Sequence, residues 1–341
     1  MKIHDNTLYV TTQGAYLAKE RESLAVRVDG QSERHFPVHT LGGVVCFGNV
    51  SMSPFAMGLC CDSGVCVSFL SEQGRFLARV EGPVSGNVLL RRAQYHASEC
   101  PATAALVARS FVMAKVANAR TVLLRAQRDR PDTHDDVRQA ASRLVQSLES
   151  LGAPLPLEIV RGVEGEAAVS YFQVFDHMIT AQKEDFRFAA RSRRPPRDRV
   201  NAVLSFLSVL LAHDARSACE TVGLDSQVGF LHRDRPGRAS LALDLMEELR
   251  PVLVDRLTLS LINRRQISAG GFRITESGGV EMDDKTRKAV LVAWQERKAD
   301  ELTHPFLGEK VTLGLLPLVQ ARLLARHLRG DLDAYPAYFW R

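Results

Sequence analysis

Residues 65–83 read VCVSFLSEQGRFLARVEGP, and residues 88–127 read VLLRRAQYHASECPATAALVARSFVMAKVANARTVLLRAQ. In the first stretch, β-branched and aromatic residues form two short runs about Gly74, which predicts a hairpin with that glycine at its turn. In the second, apolar residues recur at helical spacing. Gly82 and Pro83 stand between the two styles. The expected fold is therefore α+β with two domains. A small N-terminal β-sheet or sandwich domain covers residues 1–85 and a larger all-α domain covers residues 86–341, with the joint near residues 82–90.

Outward from this boundary the same contrast holds. LYVTT (8–12), SLAVRV (23–28) and GGVVCF (42–47) are further strands, separated by Gly, Asp, Asn and Ser. SPFAMGLCCDSG (53–64) is a short helix begun by Ser53 and Pro54 and stopped near Gly64. Val65, Val67 and Phe69 suit either a core or a dimer interface. On the other side, DTHDDVRQAASRLVQSLESLG (132–152) is an amphipathic helix with an Asp-rich start and a Gly stop. A third helix is expected from near Val163. FRFAARSRRPPRDR (186–199), with six arginines and a Pro-Pro, reads as an exposed loop leading into the buried helix VNAVLSFLSVLLAHDARSACETVG (200–223). Another helix starts at Ser240 and runs through LALDLMEELRPVLVDRLTLSLINRR; the Gly-rich connection ISAGGFRITESGGVEM (267–282) precedes two more. There is no internal repeat.

Composition removes several function classes. A chain of 341 residues with 45% hydrophobic and 24% charged residues is globular and exceeds one ordinary core. Its six cysteines include no C-x-x-C pair, which argues against a zinc ribbon and for buried, reduced thiols in a cytoplasmic protein. The N-terminus has no apolar signal core, and the apolar stretch Asn201 to Ala212 is shorter than the roughly 20 residues a bilayer demands, so no membrane association is expected. The net charge is +5 and the pI about 9.0. Residues 1–82 carry seven Lys/Arg against eight Asp/Glu, so the basic excess lies wholly in the rest of the chain, where a polyanion would bind.

Three places put acids or a histidine in apolar surroundings. Glu164 lies between Gly162 and Gly165 before an Ala, Val, Tyr and Phe run; alone it reads as a first-turn acid that complements the helix dipole. His232 follows Gly229-Phe230-Leu231 and precedes a turn with Arg233, Arg235 and Arg238; alone it reads as structural. Asp244 and Glu247 share a helix face one turn apart, amid Leu243, Leu245, Met246 and Leu249. Buried carboxylates need a partner or a cation. Pro251 lacks the N–H that would bond the Glu247 carbonyl, so the helix should bend there. Taken together, two carboxylates and an imidazole suit Mg²⁺ or Mn²⁺, and a divalent ion flanked by arginines suits phosphodiester chemistry.

GVEGEAAVSYF (162–172), RPPRDRVNAVLSFLSVLL (194–211), ETVGLDSQVGFLH (220–232) and PGRASLALDLMEELRP (236–251) together resemble the CRISPR-associated integrase family of the adaptation stage. The first 28 residues and the tail LPLVQARLLARHLRGDLDAYPAYFWR resemble the subgroup found with type I, subtype C systems. The resemblance implies metal ligation by Glu164, His232 and Glu247, with Asp244 in support. It implies a homodimer, dimerised through the β domain. Two such dimers and a small ferredoxin-like partner dimer form a heterohexamer on a short double-stranded DNA, whose 3′-hydroxyls attack the CRISPR leader–repeat. A RecB-like nuclease is the implied trimming partner. One departure is Ser208, where the family has an aromatic residue in N-A-x-L-S-F-x-Y.

The expected reaction is a transesterification with no covalent enzyme intermediate, and water in place of the hydroxyl gives nuclease activity. For His232, ligation is preferred to general acid–base action, because the basic turn after it favours a neutral ring. DNA grip is expected from Arg187, Arg191, Arg193, Arg194, Arg197 and Arg199, from Arg233, Arg235 and Arg238, and from Arg91 and Arg92. The competing readings are a structure-specific endonuclease acting on branched DNA and a non-catalytic architectural DNA-binding subunit.

Overall fold

The computed structural model describes residues 6–82, 88–129 and 135–340. Its contacts divide into two compact units, Met1–Gly86 and Asn87–Arg341. Most of the joint near residues 82–90 and the Asp132 start of the 132–152 helix lie outside the described residues.

The first unit holds strands β1 (Asn6–Val10), β2 (Tyr16–Glu20), β3 (Ser23–Arg27), β4 (Arg34–Pro37), β5 (Leu41–Phe47) and β6 (Ser51–Met52), then helix α1 (Pro54–Asp62) and strands β7 (Cys66–Leu70) and β8 (Phe76–Val80). They form two four-stranded sheets, ordered β1-β5-β7-β8 and β4-β3-β2-β6. The β7–β8 hairpin turns at Gly74, whose φ of +85° a side chain would strain. Ser53 caps α1 by accepting the Ala56 N–H, with Pro54 in the first turn. Leu17, Leu24, Val44, Cys46, Ala56 and Cys60 fill the core. Val65 and Val67 belong to this core and Phe69 packs against it.

The second unit is mainly helical: α2 (Val88–Glu99), α3 (Pro101–Asp129), α4 (Asp135–Ser150), α5 (Leu157–Gln173), α6 (Arg199–Val222), α7 (Ser240–Arg250) and α8 (Arg256–Asn263), followed by α9 (Asp284–Ala299) and α10 (Leu316–Leu328). The 88–127 stretch is two helices, bent by 96° where Pro101 begins the second. The Gly-rich connection folds into a hairpin of β9 (Phe272–Ile274) and β10 (Val280–Met282), and a second hairpin pairs β11 (Glu301–Thr303) with β12 (Lys310–Thr312). α3 is the axis of the unit, packing against α4, α5 and α7. Asp198 caps α6 through the Asn201 N–H, and Gly223 ends it at φ +86°. At 24 residues α6 exceeds the apolar stretch that the sequence marks out and has the length and apolarity of a membrane-crossing helix; yet Leu204, Phe206, Leu207, Leu210 and Leu211 are buried, and the helix packs on α7 and α10. At Pro251 the chain widens into a π-helical turn, Pro251–Asp255, before α8. The missing proline N–H removes one i→i−4 bond, and the wider turn absorbs the loss.

Candidate active site

α5 starts at Leu157, six residues before the expected start near Val163. Glu158 is therefore the first-turn acid, and Glu164 projects from the middle of the helix, so it is not a cap. Its carboxylate pairs with Lys115 on α3, a residue the sequence reading did not single out. The same ammonium lies 2.6 Å from Oε2 of Glu247 on α7. Two acids 83 positions apart thus meet at one buried cation. Behind Glu247 stands Arg250, 3.8 Å from Oε2, and Arg250 also faces Asp255 of the π turn at 3.6 Å. Burial opposes ionisation of Glu247, but Lys115 and Arg250 outweigh it and bring its carboxyl down to about 2. Asp255 is shifted upward by burial, which Arg250 partly offsets.

His232 is held from the same face of α7. Asp244, one turn before Glu247 and fully buried, accepts the backbone N–H groups of Phe230 (2.6 Å), Leu231 (3.0 Å) and His232 (3.0 Å), and its Oδ1 lies 2.7 Å from Nδ1 of the imidazole. A neutral ring donating Nδ1–H to that carboxylate leaves the Nε2 lone pair for a ligand. Gly229 is what lets the loop come so close, since a Cβ there would stand 2.8 Å from Oδ2 of Asp244 and 2.9 Å from Ser240. The donor types fit a hard divalent ion: two carboxylates, one held ionised, and an oriented imidazole. Oε2 of Glu247 is buried against two cations, Lys115 and Arg250. The donor atoms of Glu164, His232 and Glu247 do not all lie within 4.8 Å of one another. Among the described residues only Glu20, Glu33 and His35 meet that condition; they are exposed, and Arg27 already pairs with Glu33.

The expected DNA-contacting arginines divide by environment. Arg191 is turned inward: its guanidinium donates to Asn201 Oδ1 (2.8 Å), Ser205 Oγ (3.1 Å) and the Ser192 carbonyl, and burial with Arg250 nearby lowers it to about 10. It fastens the loop to α6. Arg199 likewise donates to the Asp185 carbonyl, Arg187 pairs with Glu184, and Arg233 pairs with Glu158. Arg193, Arg194, Arg197 and Arg235 are exposed. Arg238 is lowered by partial burial and then by Arg235, Arg193 and Arg194, so the 193–194 loop and the 233–238 turn bring like charge together beside Asp244. Arg91 and Arg92 are the fourth and fifth residues of α2. Ser208 bonds back to the Leu204 carbonyl of its own helix.

Beside Glu247, Glu248 points about 100° further round α7 and anchors the C-terminal tail. It accepts from Tyr335 Oη, the Tyr338 N–H (2.7 Å) and Gln320 Nε2 (3.2 Å). Asn118, one turn after Lys115 on α3, completes the clasp by donating to the carbonyls of Glu248 and Tyr338 and accepting the Trp340 N–H. Burial pushes Glu248 up to about 7, against those hydrogen bonds. A carboxyl whose folded value is raised binds more protons folded than unfolded, so its contribution to stability should fall as pH rises from about 4.5 to about 7, by up to about 3 kcal/mol. Urea titrations at several pH values check this: Glu248→Gln is expected to flatten that part of the profile, and an unchanged slope rules Glu248 out as its source.

Residues 8–296 match the family model described as CRISPR associated protein Cas1. The chain is 53% identical to "CRISPR-associated endonuclease Cas1 1" of Chlorobaculum tepidum, with 100% of both chains covered. It is 55% identical to "CRISPR-associated endonuclease Cas1 2" of Rhodospirillum rubrum over 98% of each. Among solved structures it shares the fold of a "Casposase bound to integration product", with a TM-score of 0.83 at 23% identity, covering 98% of this chain and 94% of that one.

Proposed function

The chain belongs to the Cas1 family of CRISPR-associated proteins, and we propose that it is a metal-dependent DNA integrase and endonuclease of CRISPR adaptation, inserting short duplexes into the array by attack of their 3′-hydroxyls on the repeat. The observation that carries this reading is the meeting of Glu164 and Glu247 at Lys115, with His232 locked by Asp244 one turn away. In this reading Glu164, Glu247 and His232 hold Mg²⁺ or Mn²⁺. When bound, the ion supplies Lewis acidity and charge neutralisation at the scissile phosphate. Asp244 fixes the imidazole tautomer, and Arg250 holds Glu247 in place. The exposed arginines 193, 194, 197 and 235 grip the flanking phosphates, so binding falls with added salt. The β unit is the dimerisation module, and a small ferredoxin-like protein and a RecB-like nuclease are the partners.

The test is strand transfer. Protein and small partner are incubated with Mn²⁺ or Mg²⁺, a labelled short duplex and a supercoiled plasmid carrying a leader and repeat. Label joined to the plasmid, and lost in His232→Ala, is expected. Cleavage without joining would leave a structure-specific endonuclease, and binding with neither product an architectural subunit.

A further inference from the structure

We propose that Lys115 is a built-in counter-ion of this site: its ammonium bridges Glu164 and Glu247 when no divalent ion is bound and competes with that ion for the same two carboxylates. The proposal rests on the ligand assignment above and deepens it. Lys115 is only 7% exposed, and lysines are seldom buried unless paired. Lys115 lines a small cavity with Val116, Ala119, Leu144, Ala167 and Tyr171, and with the charged Arg250 and Asp255, so the helix places its charge in a mostly apolar setting. Glu247 is buried and Glu164 partly so. Without a cation between them, two carboxylates on separate helices would repel and drag α5 from α7. The ammonium removes that repulsion and ties α3, α5 and α7 at one point.

The same arrangement sets the terms on which a divalent ion enters. An ion bound to both carboxylates while the ammonium stayed would put like charges a few ångströms apart in a poorly hydrated site, where repulsion is strong. One of the two has to leave. Lys115 can, because its charge sits on a flexible four-carbon stem. Metal loading therefore has a threshold that the carboxylates and imidazole alone would not impose.

The experiment measures Mn²⁺ binding to the DNA-free full chain by electron paramagnetic resonance, with thermal unfolding in parallel. Lys115→Met and Lys115→Gln are expected to bind Mn²⁺ about tenfold or more tightly than wild type. Both should melt lower without metal and gain more from Mn²⁺ than wild type does. The glutamine variant keeps a hydrogen-bond donor between the acids, which protects folding. Folded variants that bind Mn²⁺ no more tightly than wild type overturn the proposal. Glu164→Gln separates this failure from that of the ligand assignment: if it binds Mn²⁺ as wild type does, the assignment itself falls. The wild-type chain gives an independent reading. Saturating Mn²⁺ should raise the rate at which Lys115 is acetylated by acetic anhydride, followed by peptide mass spectrometry, and an unchanged or lower rate counts against competition.

Discussion

Glu164→Ala is expected to lower strand transfer and cleavage about a hundredfold or more, while leaving a folded protein. The two halves of that expectation have separate grounds. Glu164 extends from the middle of α5, whose first turn does not depend on it and whose buried residues are Val160, Ala167 and Tyr171. Its side chain keeps 27% exposure, so removing it opens a partly solvated space and not a sealed cavity. Lys115 retains Glu247 at 2.6 Å, so no cation is left buried alone. The stability loss should stay near 1–2 kcal/mol, within the ordinary range for a point substitution. Activity is affected more, because one of two anionic oxygen donors is gone. Single-turnover strand transfer beside circular-dichroism melting measures both quantities. Full activity in the variant would remove Glu164 from the chemistry. A collapse of the melting transition would recast it as a structural anchor for Lys115.

The fold was legible because its two halves obey different periodicities, and because Ser53, Pro54, Gly74 and Gly223 each mark an element boundary by local backbone chemistry. The places that were not legible share one cause: their partners are remote in sequence. Glycines at 162 and 165 suggested a helix start at Val163, but helices tolerate single glycines at a cost of about 1 kcal/mol each, and α5 runs through both. Lys115 carried a signal, a single cation in the apolar run FVMAKVANA, but periodicity registers such a residue only as an interruption. Arg191 cannot be told from Arg193 or Arg194 by composition; only the return of Asn201 and Ser205 on α6 turns it inward. Glu248 is adjacent to Glu247, yet a helix points successive residues about 100° apart, so one serves the candidate metal site and the other the tail.

Asp244→Ala should be the most damaging single change to both the site and the fold. The lost carboxylate accepts three backbone N–H groups and faces the imidazole, and two of those amides belong to Phe230 and Leu231, which are 2% and 5% exposed. Each buried donor left unpaired costs about 1–3 kcal/mol, so a loss of about 3–5 kcal/mol is expected in urea denaturation. The loop that carries His232 would then lose its register against α7, and the ring its fixed tautomer, which should weaken Mn²⁺ binding and strand transfer by about 10–100-fold beyond any loss of folded protein. Asp244→Asn separates the two roles. An amide keeps the volume and one acceptor oxygen, but places an NH₂ group where a backbone N–H or the Nδ1–H donates, so it should recover part of the stability and little of the metal affinity. If Asp244→Asn instead bound Mn²⁺ as wild type does, the orientation of His232 would have to come from the packing of Phe230 and Leu231 alone, and Asp244 would be a brace for the loop with no bearing on the ligand set.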